Sequence, residues 1–257
     1  MDGTDVVTLA IDGTRPLSAA SVAAVAQACD RVQHGPGARL VLRVAGAPGP
    51  GWTDGLTVGL VSKWERGLRL LERLPALTLA VADGDCGGTA LDVLLAADYR
   101  IATTTARLVV PVTGGGASGT WPGMALYRLA RQGAGIATVR RALLFGEPVD
   151  AFRARSVHLV DEVSDDVTGA LATAAELLGT LSGALPGARP TALSGAELAI
   201  RRQLMFDAGT TSFEEALGVH LAACDRVLRR TADSTTADGT TADGTTADGT
   251  TAAGGTA

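Results

Sequence analysis

The segment DGDCGGTALDVLLAADYRIA, Asp83 to Ala102, holds the residues best spaced for chemistry. A strand-like run, LTLAVA (77–82), ends in a loop carrying Gly87 and Gly88 and opens directly into the helical pattern TALDVLLAA. Such a turn aims unpaired backbone N–H groups and the positive end of the helix dipole at whatever lies above it. The same arrangement stabilises the enolate or tetrahedral oxyanion of a thioester carbonyl, at roughly 3 to 4 kcal/mol per donor. Asp92 is an acid inside the helix, and a helix-facing acid bonded to an arginine is its structural reading. Asp85 in the same loop and Asp54 in the earlier loop GAPGPGWTDG (46–55) are candidate auxiliary acids, each also suited to a turn or cap. Trp52 and Trp121 flank the two loops and are candidates to line an acyl pocket.

Other chemistries find less support. GGGASG (114–119) fits G-x-G-x-x-G, but Val139 and Arg140 stand where a dinucleotide site needs an acid, so a loop is expected there. His34, His158 and His220 are isolated and no G-x-S-x-G elbow is present, which speaks against a Ser-His-Asp hydrolase. Cys86 could be a nucleophile, but a small residue in a tight turn is the plainer reading. Cys29, Cys86 and Cys224 are far apart, with no C-x-x-C spacing, so neither a disulfide framework nor a zinc site is expected.

The elements that must position these residues alternate. VVTLAI (6–11), LVLRVA (40–45), LTLAVA (77–82), YRIA (99–102), LVVPV (108–112) and HLVDEV (158–163) read as strands. Between them lie helical patterns: 18–32 with Ser18 as N-cap, and a second with Leu60, Val61, Trp64, Leu68 and Leu71 on one stripe, where Trp64 reads as core. Beyond Gly119 the pattern is mainly helical, and the last helix places Phe213, Leu217, Leu221, Cys224 and Leu228 on one face, toward its own chain or another subunit. The alternation argues for an α/β fold with parallel crossovers.

Composition agrees. With 46% hydrophobic but only 4% aromatic residues, the core must be packed by Leu, Val and Ala. The net charge of -5 comes from scattered groups with no basic run, which argues against nucleic acid. The acidic start and the lack of any apolar run near the roughly 20 residues of a membrane span point to a soluble, cytoplasmic chain with no membrane partner. From Thr235 the sequence repeats TTADG, with nothing large to bury, so a disordered tail is expected.

DGDCGGTALDVLLAADYRIA, with Asp98, Arg100, Ile101 and Ala102 in register, resembles the hallmark NG-x(3)-GGG-x-x-L-x(3)-x-D-x-R-I-A of the crotonase (enoyl-CoA hydratase/isomerase) superfamily. VLRVAGAPGPGWTDG resembles that family's first oxyanion loop, and LFGEPVDAFRARSVHLVDEV its T-G-x-x-x-x-A-x-x-A-x-x-x-G-L-V-x-x-V segment. The resemblance implies the ClpP/crotonase-like spiral of ββα units with a C-terminal helical region. On that basis residues 1–188 form the α/β core, 189–230 the C-terminal helices used for trimerisation, and 231–257 the tail.

Carried over residue by residue, the family's two backbone oxyanion donors fall on Gly51 and Thr89, and its first catalytic glutamate on Asp92. Its second glutamate falls on Val112, which can neither give nor take a proton. Simple hydration of an enoyl thioester needs a second proton-handling group that valine lacks, whereas enolate chemistry needs one acid and an oxyanion hole. Lys63 and Arg66 are candidates to meet the phosphates of CoA, or form a solvated helix face. LTVGLVSKWERGLRLLERLPALTLAVADGDCGGTALD, ARLVVPV and TWPGMALYRLA further resemble the crotonase homologue that accompanies a type III polyketide synthase in forming 3,5-dihydroxyphenylacetyl-CoA, the precursor of dihydroxyphenylglycine in glycopeptide antibiotics. That implies a polyketide CoA thioester as substrate, loss of water with aromatisation, no cofactor or metal, the synthase as partner, and a homotrimer or hexamer. The alternative is a crotonase-fold partner that stimulates the synthase with little chemistry of its own.

Overall fold

The computed structural model describes residues 6–35, 39–49, 52–110, 123–132, 136–180 and 195–207, with a few positions between 212 and 222. The chain separates into two compact units, Met1–Gln203 and Leu204–Ala257, and nearly all described residues belong to the first. The expected tail and most of the last helix stripe lie outside the described residues.

Among these residues the strands are β1 (Val6–Asp12), β2 (Arg39–Gly46), β3 (Thr78–Gly87), β4 (Tyr99–Ala102), β5 (Arg107–Val109), β6 (Val149–Asp150) and β7 (Glu162–Val163). They form one sheet in the order β1-β2-β3-β4-β7, all parallel, with β5 parallel to β3 and β6 antiparallel to β5. The first helices are α1 (Ala19–His34), α2 (Val58–Glu72) and α3 (Thr89–Ala96); the later ones are α4 (Ala125–Gln132), α5 (Ile136–Phe145), α6 (Ala151–Ser156), α7 (Val167–Thr180) and α8 (Gly195–Asp207). Ser18 caps α1 as expected, its side chain accepting from Ser21 N–H, and Thr57 caps α2 in the same way through Leu60 N–H.

β3 is the spine of the site. Its register against β2 breaks after Ala45, which pairs with Asp83 whereas Gly46 pairs with Cys86. The extra residues, Gly84 and Asp85, make a bulge that Gly84 absorbs at φ 60°. Before the bulge β3 pairs with β4; after it, Asp85–Gly87 turns aside to pair with β5. One end of a strand is thus re-aimed, and with it the turn into α3.

Leu40, Leu42, Ala80 and Ala82 face the main core with Val25, Trp64, Leu68 and all the apolar side chains of α3. On the sheet's other face Val41, Leu79, Val81 and Ile101 meet Ala170 and Ala174 of α7. Burial on both faces explains why these strands read as continuous apolar runs.

Two expectations are corrected. HLVDEV is not one strand: only Glu162–Val163 pairs, and His158 sits at φ 58° in the turn that ends α6. Of LVVPV, Leu108 and Val109 pair within Arg107–Val109 and Val110 does not, while 111–112 lie outside the described residues.

Candidate active site

At the C-terminal ends of β1, β2 and β3 three glycines stack. A Cβ on Gly13 would lie 2.3 Å from the Gly46 carbonyl oxygen and 2.6 Å from that of Gly87. A Cβ on Gly87 would lie 2.8 Å from the Val109 carbonyl oxygen and 3.0 Å from Ala47 Cβ. This close approach presses the loop after β2 onto the turn between β3 and α3. The two loops read from sequence as oxyanion loops therefore adjoin, although Gly51 itself lies outside the described residues.

Gly88 is the N-cap of α3, at φ 54° and ψ -127°, and has no side chain to cap the helix. Thr89 is the first helical residue and is buried, and its N–H has no acceptor within the helix. An uncapped donor at the positive end of a buried helix suits a developing oxyanion.

Asp92 lies three residues on, so it shares a face of α3 with Thr89. Its carboxylate is fully buried, and Oδ2 accepts a hydrogen bond of 3.0 Å from the indole N–H of Trp64 on α2. An arginine lies close enough to feel its charge. Arg128 of α4 donates to Glu72 at 2.7 Å and pairs with Glu65 at 3.0 Å. Burial works against the Arg128 charge, but Glu72 and Glu65, with a further contribution from Asp92, more than offset it and hold the guanidinium above its ordinary value. Trp64 is thus core and polar partner at once, which its place on an apolar stripe concealed.

Burial first, and then the charges of Asp92 and Asp85, push the Cys86 thiol far up, which removes it as a nucleophile. Asp85 is joined to Arg107, its cross-strand neighbour, at 2.6 Å, so it serves as half of a surface ion pair rather than as an acid over the turn. Asp54 is exposed and lines a cleft of about 980 Å³ between the N-terminal ends of α1 and α2, together with Arg15, Leu17, Leu60 and Lys63. Arg66 does not line that cleft; its side chain bonds back to the Ser62 carbonyl. Trp52 is half-buried against the main core. Val112, Trp121 and the GGGASG loop lie outside the described residues. Among the described residues no cluster of His, Cys, Asp or Glu could hold a metal ion, and no helix is long and apolar enough to cross a membrane.

The hallmark Asp98 and Arg100 are structural. Asp98 accepts from the backbone and hydroxyl of Thr78 and from Arg202 of α8, and Arg100 donates to the carbonyls of Leu95, Ala97 and Leu159.

The chain is 54% identical over 230 residues to an enoyl-CoA hydratase of Amycolatopsis orientalis, an alignment covering 88% of this chain and 97% of that protein. It belongs to the enoyl-CoA hydratase family. No family model matches the chain. Solved structures agree on the crotonase fold. An enoyl-CoA hydratase/isomerase from Marinobacter aquaeolei superposes with a TM-score of 0.67 at 16% identity, over 89% of this chain and 90% of that one. An enoyl-CoA hydratase from Shewanella pealeana gives 0.68 at 17% identity, over 88% and 85%. In this enoyl-CoA hydratase-like chain a glycine turn opens directly into α3, whose buried Asp92 is held by Trp64.

Proposed function

We propose that this chain dehydrates a polyketide CoA thioester beside a type III polyketide synthase, on the route to 3,5-dihydroxyphenylacetyl-CoA. The observation that carries the reading is the first turn of α3, which presents an uncapped N–H at Thr89 and, three residues on, the buried carboxylate of Asp92. In this reading the thioester oxygen accepts from Thr89 and Gly51, which lowers the cost of the enolate formed when the α-proton leaves. Asp92 takes the proton; the β-hydroxyl then departs as water, carrying a proton back, and the double bond forms with no net change at the protein. With Val112 in place of a second glutamate, nothing at that position holds a water for the reverse addition.

The cleft between α1 and α2 suits the CoA portion, because two helix N-termini and the side chains of Arg15 and Lys63 converge on it. The reading needs no cofactor beyond the thioester, and includes a cytoplasmic setting and a homotrimer or hexamer.

A second reading is favoured by one observation, the complete burial of Asp92. In it the chain is a crotonase-fold partner that stimulates synthase turnover without moving a proton. Asp92→Asn, assayed with the synthase and malonyl-CoA for 3,5-dihydroxyphenylacetyl-CoA, separates the two. A fall of about 100-fold or more in the chain-dependent rate, with synthase binding retained, supports catalysis; full stimulation by the variant supports the partner role.

A further inference from the structure

The Trp64 indole is fully buried, on a stripe whose other members, Leu68 and Leu71, pack without any polar atom. A leucine or phenylalanine there would fill a core equally well. Tryptophan adds a donor that must find an acceptor when it is taken out of water, and here it finds Asp92 across 28 positions of sequence. The bond joins α2 to the end of α3 that also carries Thr89. An aspartate has one methylene fewer than the family's glutamate, so its reach depends on how its carboxylate is turned.

We propose that Trp64 is a positioning residue for the reaction, its indole N–H fixing the orientation of the Asp92 carboxylate beside the Thr89 donor. The inference rests on the functional reading above, in which Asp92 moves the proton. Among the described residues, Arg128 of α4 and Cys86 of β3 feel the Asp92 charge, and Arg128 also bonds Glu65 and Glu72 of α2. Arg128 supplies a nearby charge whose strong hydrogen bonds run to the two glutamates. Trp64 supplies direction, because a neutral donor fixes one carboxylate oxygen and thereby the plane of the other.

The test removes only the donor. Trp64→Phe does so with a smaller ring; benzothienylalanine at position 64 puts sulfur where the N–H was and keeps the shape, which guards against a folding defect. Each is assayed with the synthase and malonyl-CoA, alone and combined with Asp92→Asn. The expected result is a loss of about tenfold in rate at saturating chain, with the half-saturating concentration unchanged. The acid limb of the pH profile moves to higher pH, since a donor to the charged form has been lost. On the Asp92→Asn background the same change has an effect under about twofold. Equal losses on both backgrounds, or an unmoved acid limb, overturn the proposal while leaving the functional reading intact. If Asp92→Asn stimulates fully, the functional reading falls instead. The positioning claim is then decided by carbon-13 titration of the Asp92 carboxyl in the free chain, where an unchanged midpoint in the benzothienylalanine variant overturns it and a raised one supports it.

Discussion

An oxyanion donor that is a backbone N–H survives every ordinary substitution of its own side chain, and proline is the exception. Thr89 is the first residue of α3, the helical position where proline is best tolerated, and the preceding Gly88 has no Cβ to clash with the ring. Thr89→Pro should lower the thioester-dependent rate by about 100- to 1,000-fold, the usual loss for one such donor. Thermal unfolding should move by only a few degrees, since the N–H has no helical partner to lose. A steady-state rate measured alongside a melting curve checks both. The turn that carries this N–H was legible in the sequence, because a strand, a glycine pair and a helix onset are local signals. Asp92 was legible as an acid at the right count from Asp98, but its environment was not. Its partner lies on another helix at a spacing that looks like core, and the pattern of a buried stripe says nothing about which buried atom is polar. The ion pair of Asp85 was hidden for a similar reason, since its cross-strand neighbour Arg107 is fixed only by the pairing of β3 with β5.

Elements rather than single residues explain why the hallmark D-x-R-I-A is present at all. Arg202 of α8 reaches the start of β3 and satisfies five acceptors there: both oxygens of Asp98 at 2.6 Å each and the carbonyls of Glu72, Leu74 and Ala76. Its side chain is 5% exposed and that of Asp98 16%, so the pair is screened little. Arg202→Met would keep the stem but leave the carboxylate and three carbonyls without their donor. Breaking a buried pair from one side costs about 3 to 5 kcal/mol, and urea unfolding of Arg202→Met should show a loss of that size. Adding Asp98→Asn should recover part of it by removing the stranded charge. The alternation of β1, β2 and β3 with α1, α2 and α3 was readable because β2 and β3 bury apolar residues on both faces, β1 alternates, and α1 and α2 each bury one stripe, while α3 is short and wholly buried. α6 was not, since the six residues AFRARS are too few to show a helical period. The apolar residues after it imitate a strand, yet Leu159 and Val160 are buried in a turn that needs His158 at φ 58°.

At the scale of the whole molecule, a core of Leu, Val and Ala leaves few buried groups able to ionise among the described residues; two of them are thiols, and a half-buried phenol lies beside the core. Burial pushes Cys29 up to about 11, and pushes Cys86 further in the same direction with Asp92 and Asp85 assisting. Burial, then the Glu162 charge, also raises Tyr99. In the unfolded chain a thiol ionises near its ordinary 9.0, while the folded Cys29 holds its proton until about 11. Over that interval the unfolded state has released a proton that the native state keeps, so stability is complete below the lower value and is lost as pH rises toward the upper. The urea midpoint should therefore fall between about pH 9 and about pH 11, and Cys29→Ala should flatten that fall while lowering the starting value through a small cavity. The two effects separate cleanly, because a cavity shifts the whole curve whereas the thiol sets its slope. A slope unchanged in Cys29→Ala would mean that Cys86 and Tyr99 carry the alkaline loss, and Cys86→Ala would then be the variant that flattens it.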